Sequence, residues 1–127
     1  MSQSESSTGR LWAGRVLTGL PIVFLLGDGA VKFTSAAGVI EAFHHLGLPI
    51  STAPAIGSLE LFCTLLYAYP RTSILGAVLL TGYLGGATAI HVRIGDPFWF
   101  PILMGLIVWA GLYLRESRLH PLLPLSK

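Results

Sequence analysis

Four apolar stretches, each about as long as a membrane is thick, dominate the chain. They run from Leu11 to about Val31, from about Ile50 to Tyr69, from Thr72 to Val92 and from Pro97 to Leu114. A hydrocarbon core about 30 Å thick takes about 20 apolar residues as helix. None of the runs alternates with the period of two that a barrel strand requires. Lipid cannot satisfy bare backbone, so helix is the remaining way across. Composition agrees: 53% of the 127 residues are hydrophobic and only 11% charged, against roughly 25% charged in soluble domains. Mean hydropathy is +0.71. The expected fold is all-α, a transmembrane four-helix bundle with a short amphipathic interfacial helix between helices one and two.

The remaining segments set the organisation. Residues 1–9 are polar and Ser-rich and read as a disordered tail, residues 10–120 as the membrane domain and residues 121–127 as a C-terminal tail. The start of the chain lacks a basic n-region, and no Ala-x-Ala site follows the first run, so that run is expected to stay as a helix. Tyr69-Pro70-Arg71-Thr72 is a tight turn that makes the second and third runs antiparallel neighbours. Gly95-Asp96-Pro97 is another, with Pro97 at the first position of the fourth helix. In the long connection from Phe33 to Pro49, Val39, Ile40, Phe43 and Leu46 share a helical face, with Ser35 as the expected cap and Gly47 and Pro49 as the stop.

Charge sets orientation and excludes one partner class. A net charge of +2 with no basic aromatic patch argues against nucleic acid. Arg10, Arg15, Arg71, Arg115, Arg118 and Lys127 fall at one end, and only Lys32 and Arg93 at the other. That bias places both termini of a multi-pass membrane protein in the cytoplasm. Trp12, Tyr67, Tyr69 and Tyr113 belong to the cytoplasmic aromatic belt, and Phe98, Trp99 and Phe100 to the other. Gly82-Tyr83-Leu84-Gly85-Gly86 has the GxxxG spacing that lets helices approach, within the chain or in a homo-oligomer.

Ionisable residues inside a span are the candidates for chemistry. Glu60 lies about nine residues from either end of the second run, so about 13 Å deep. No Lys or Arg begins at its depth, so a neutral carboxyl is expected. It serves either as a proton-exchanging or substrate-contacting acid, or as a structural carboxyl bonded to Thr18 or Thr81. Asp28 and Lys32 are four apart and form a local pair. His91 comes at the depth of Asp28, and a carboxylate beside a histidine suits proton transfer or an oriented heme or metal ligand. Arg15 is a topology anchor whose stem snorkels to the headgroups. Arg93 and Asp96 anchor the interface. His44 and His45 are adjacent and do not share a face, so no metal site is expected there. The single cysteine, Cys63, rules out a disulfide framework within one chain and reads as an apolar filler. No phosphate-binding Gly loop, HExxH or G-x-S-x-G is present.

Several of these segments together resemble the DoxX-like family of small bacterial membrane proteins. They are Arg15 to Gly19 continuing to Asp28-Gly29-Ala30-Val31-Lys32, then Gly57-Ser58-Leu59-Glu60-Leu61, then Pro70-Arg71-Thr72 through Leu80 to Gly86, and finally His91 to Pro97. The resemblance spans about residues 10–120. It implies a four-helix membrane bundle and directs attention to Arg15, Lys32, Glu60 and His91. The founding member of the family is associated with a quinone-linked sulfur oxidoreductase of the membrane. The leading expectation is a component of a membrane redox or detoxification system handling quinone or another small hydrophobic molecule. The alternatives are a membrane-embedded isomerase or oxidoreductase using Glu60 or His91, and a partner subunit without a site. Catalytic candidates are Glu60, His91 and Asp28. Cofactor-binding candidates are Lys32 and Arg93, with quinone or heme as the cofactor. Expected partners are the lipid bilayer, a small hydrophobic ligand, and a second copy or another membrane subunit.

Overall fold

Apolar runs with no water around them close their own backbone hydrogen bonds, and each run becomes a helix. The structure is a computed structural model that describes residues 3–126, with side chains from residue 8 onward. Five helices follow in order: α1 (Gln3–Val31), α2 (Ala37–Leu46), α3 (Ala53–Ala68), α4 (Ser73–Arg93) and α5 (Trp99–Arg115). Single 3-10 turns at Ile50–Thr52 and Pro70–Thr72 lead into α3 and α4, and a third, Ser117–Leu119, follows α5. No strand occurs among the described residues.

The long helices form a ring. α1 packs on α3 and α5, and α4 packs on the same two, so α1 and α4 stand diagonally opposite. The core holds Leu25, Cys63, Tyr67, Leu80, Val108 and Leu112. Glycines set the closest approaches. A Cβ at Gly76 would lie 2.2 Å from the Tyr67 backbone nitrogen, and one at Gly111 would lie 2.8 Å from Thr18 Oγ1. The outside is the reverse of a soluble surface, with Leu20, Val23, Leu59, Phe62, Leu65, Val78 and Leu106 all more than half exposed. An apolar surface on that scale is a surface for lipid or protein. Three helical stretches, Thr8–Val31, Ile50–Ala68 and Pro70–Arg93, are long and apolar enough to cross a membrane. α5 is apolar but has 17 residues, about 25 Å at 1.5 Å per residue.

Several expectations are corrected. α1 begins at Gln3 rather than near Leu11, because no proline interrupts the chain before Pro21 and the helix continues through the polar stretch. α5 starts at Trp99, not Pro97. Phe98 has φ −117° and ψ 14°, off the helix, and Pro101 takes the first-turn place where a missing N–H costs nothing. α2 is not capped by Ser35: its N-cap is Ala36, with no side-chain cap bond. Its end follows expectation. Gly47 has φ 71°, and the N–H groups of Gly47 and Leu48 reach the carbonyls of His44 and Phe43. Val39 and Phe43 pack against Ala53, whereas Ile40 turns outward and is exposed. Tyr67 is wholly buried, not interfacial, and its hydroxyl donates to the Val108 carbonyl at 2.7 Å. The glycines at 82, 85 and 86 do not bring helices of this chain together, since a Cβ at any of them meets nothing within 4 Å. Lys127 lies outside the described residues.

Candidate functional site

Two glycines decide where the ionisable groups meet. α1 crosses α3 at Gly29 and Gly57, where a Cβ on Gly57 would stand 2.8 Å from the Gly29 carbonyl oxygen and 3.0 Å from Lys32 Cβ. Lys32 comes three residues after Gly29, and Glu60 three after Gly57, so the crossing sets both side chains into the same space. Lys32 Nζ donates to Glu60 Oε2 at 2.7 Å, to Asp28 Oδ2, and to the Asp28 carbonyl at 3.2 Å. An ammonium has three N–H donors, and all three are engaged. The Tyr83 hydroxyl, from α4, donates to the same Glu60 oxygen at 2.9 Å. Glu60 Oε1 is buried and has no partner.

This arrangement overturns the expectation that no cation reaches Glu60. The long Lys32 stem runs back along α1, and the close helix crossing removes the remaining distance. Thr18 and Thr81, the expected partners of Glu60, are engaged elsewhere. Thr18 accepts from Arg115 Nε at 2.9 Å, and Thr81 accepts from Trp109 Nε1 at 2.7 Å.

Above this cluster lies a cleft of about 750 Å³. Asp28, Lys32, Tyr83 and His91 line its polar side, and Val39, Phe43, Leu46, Ile56, Leu59 and Ile90 line much of the rest. Gly82 and Gly86 also face it, so their missing side chains leave room. α2 forms one wall and is tied to the turn after α4. His45 Nε2 meets Asp96 Oδ2 at 2.7 Å, and Arg93 donates to the Leu46 carbonyl at 2.6 Å.

Asp28, Lys32 and Glu60 thus form one cluster, and His91 joins Asp28 and Lys32 on the cleft. His91 does not bond Asp28. Its Nδ1 pairs with the Ala87 carbonyl at 2.7 Å, which makes Nδ1 the protonated nitrogen and leaves the Nε2 lone pair open when the ring is neutral. That nitrogen is of the type that ligates a heme iron. Arg93 stands apart, bound to the end of α2. Tyr83 was missed as a site residue. Its signal was its spacing of two helical turns from His91, which puts both on one face. Arg115, counted from sequence only in the charge bias that sets orientation, donates to Thr18, to Ser73 Oγ at 3.3 Å and to the Tyr67 carbonyl at 3.3 Å.

A chain whose described residues form helices and no strand, with an apolar exterior over its long helices and Asp28, Lys32 and Glu60 gathered between them, is a helical membrane protein. The sequence pattern of the DoxX-like family matches residues 16–112. The chain therefore belongs to the DoxX-like family. No curated protein and no solved structure matches it.

Proposed function

We propose that the protein is a four-span inner-membrane protein that binds a small hydrophobic molecule with a polar ring or head, such as a quinone, for a membrane redox or detoxification system. The observation that carries this reading is the cleft of about 750 Å³, apolar over most of its wall and ending on Asp28, Lys32 and Tyr83. Sites for drug-sized ligands span roughly 300–1,000 Å³ and combine an apolar wall with a few placed polar groups.

The polar end favours one form of such a ligand. The Lys32 donors are all engaged and the Tyr83 hydroxyl donates its hydrogen bond to Glu60. What remains are acceptors: the second Asp28 carboxylate oxygen, the Tyr83 oxygen lone pairs and His91 Nε2. A quinol supplies hydroxyl donors to those acceptors. A quinone offers only carbonyl acceptors, and Lys32 would have to give up its long bond to the Asp28 carbonyl. The quinol is therefore the tighter ligand.

The test is equilibrium binding of a short-chain quinone and its quinol to the purified protein in detergent. The quinol should bind more tightly. Gly86→Leu should abolish binding of both while leaving the melting temperature near that of the wild type, because the new side chain enters the cleft. A Gly86→Leu protein that binds as well as the wild type sinks the reading. Conversion of the bound molecule by the purified protein alone would make the protein an enzyme in its own right.

A further inference from the structure

At the opposite end of the bundle, thirteen residues back along α1 from Asp28 and so about 20 Å away, a second cleft opens between α1 and α5. It has a volume of about 440 Å³ and is lined by Leu11, Arg15, Thr18, Gly19, Ile22 and Arg115. It holds two arginines and no acid. Neither arginine is in an ion pair among the described residues. The adjacent Glu116 is already committed: Arg118 donates to both of its carboxylate oxygens at 2.8 Å. Those bonds hold the Glu116 carboxyl down at about 2.

Arg115 is the unusual member. It is half-buried, lies 5.2 Å over the Tyr67 ring, and donates only to neutral acceptors, Thr18, Ser73 and the Tyr67 carbonyl. A guanidinium has five N–H groups. Three are used, so two remain for a ligand, in a fork that is already oriented. Arg15 is exposed and adds a second cation at the mouth. The other lining side chains include Leu11 and Ile22, with Ile22 further along α1 toward the middle of the bundle. Two arginines at the mouth and Ile22 toward the bundle centre match a molecule with an anionic head and a hydrocarbon tail.

We propose that this cleft binds the phosphate of an anionic membrane lipid, with Arg15 and Arg115 on the phosphate oxygens and an acyl chain along Ile22. Arginine suits this role because its planar fork meets phosphate oxygens two at a time.

The test uses the purified full chain in micelles doped with either phosphatidylglycerol or phosphatidylcholine, and counts retained lipids by native mass spectrometry. Phosphatidylglycerol should be retained in preference to phosphatidylcholine. Arg15→Gln should weaken its retention about fivefold, the size expected for one arginine near an anionic headgroup. Gly19→Leu, built where a Cβ meets nothing within 4 Å, should obstruct the cleft and lower retention without changing charge. Arg71→Gln, an exposed arginine outside the cleft, should change nothing. Equal retention of both lipids, an effect of Arg71→Gln as large as that of Arg15→Gln, or an unaltered Gly19→Leu protein would each overturn the proposal. Displacement of phosphatidylglycerol by millimolar inorganic phosphate would also overturn it, in favour of a free-anion site.

Discussion

Lys32 is the residue on which the polar interior depends. Its side chain is 12% exposed and sits between the Asp28 and Glu60 carboxyls, the latter 1% exposed. Removing one partner of a buried pair leaves a charge without compensation and costs about 3–5 kcal/mol, whereas replacing both with apolar groups is often close to neutral. Lys32→Met should therefore lower thermal stability in detergent sharply, and Lys32→Met combined with Glu60→Met should recover most of the loss. A double variant no more stable than Lys32→Met would mean that the pair is not what the single change disrupts. Nothing local in the sequence marks this contact, since Lys32 and Glu60 are 28 residues apart. The i,i+4 pair of Lys32 with Asp28 was legible because a helix alone sets that distance.

At the scale of helices, glycines act in two opposite ways. Gly57 has no room for a side chain: the obstacle is the Gly29 backbone, which cannot turn aside. Gly57→Ala should push α1 from α3, pull Lys32 off Glu60 and cost about 1–3 kcal/mol, the range for overpacking. Gly85→Ala adds a methyl into open space and removes a helix-weakening residue, for a gain of up to about 1 kcal/mol. Thermal unfolding of the two variants should show shifts of opposite sign. A Gly85→Ala protein as damaged as Gly57→Ala would mean that the 82–86 stretch packs against something outside this chain, as in a homo-oligomer. The sequence made the wrong stretch conspicuous. GxxxG spacing shows that small residues share a face, but not whether a helix stands opposite that face.

For the whole molecule, the distribution of charge sets the expected orientation. α5 packs between α1 and α4, and in the proposed four-span arrangement it is the fourth span despite its shorter length. Both termini would then face the cytoplasm, and the connection containing α2 would face outward. A phosphatase active only outside the cytoplasm should be silent when fused at the C-terminus and active when inserted near Gly47. The reverse pattern would invert the topology and place the Asp28–Lys32–Glu60 cleft on the cytoplasmic side.

The sequence by itself determined that the chain is helical, that it belongs with lipid and where its turns fall. Those properties depend on local composition: an apolar run partitions into lipid whatever its neighbours are, and Tyr69-Pro70 or Gly47 redirects the backbone through its own torsions. Tertiary structure alone decided which polar groups on different helices meet. The joining of Lys32 to Glu60, the reach of Tyr83 to the same oxygen, and the gathering of Arg15 and Arg115 into one cleft all depend on how closely pairs of helices cross. That distance is set by side-chain volume on two surfaces at once, as at Gly29 and Gly57, and no single stretch of sequence contains both.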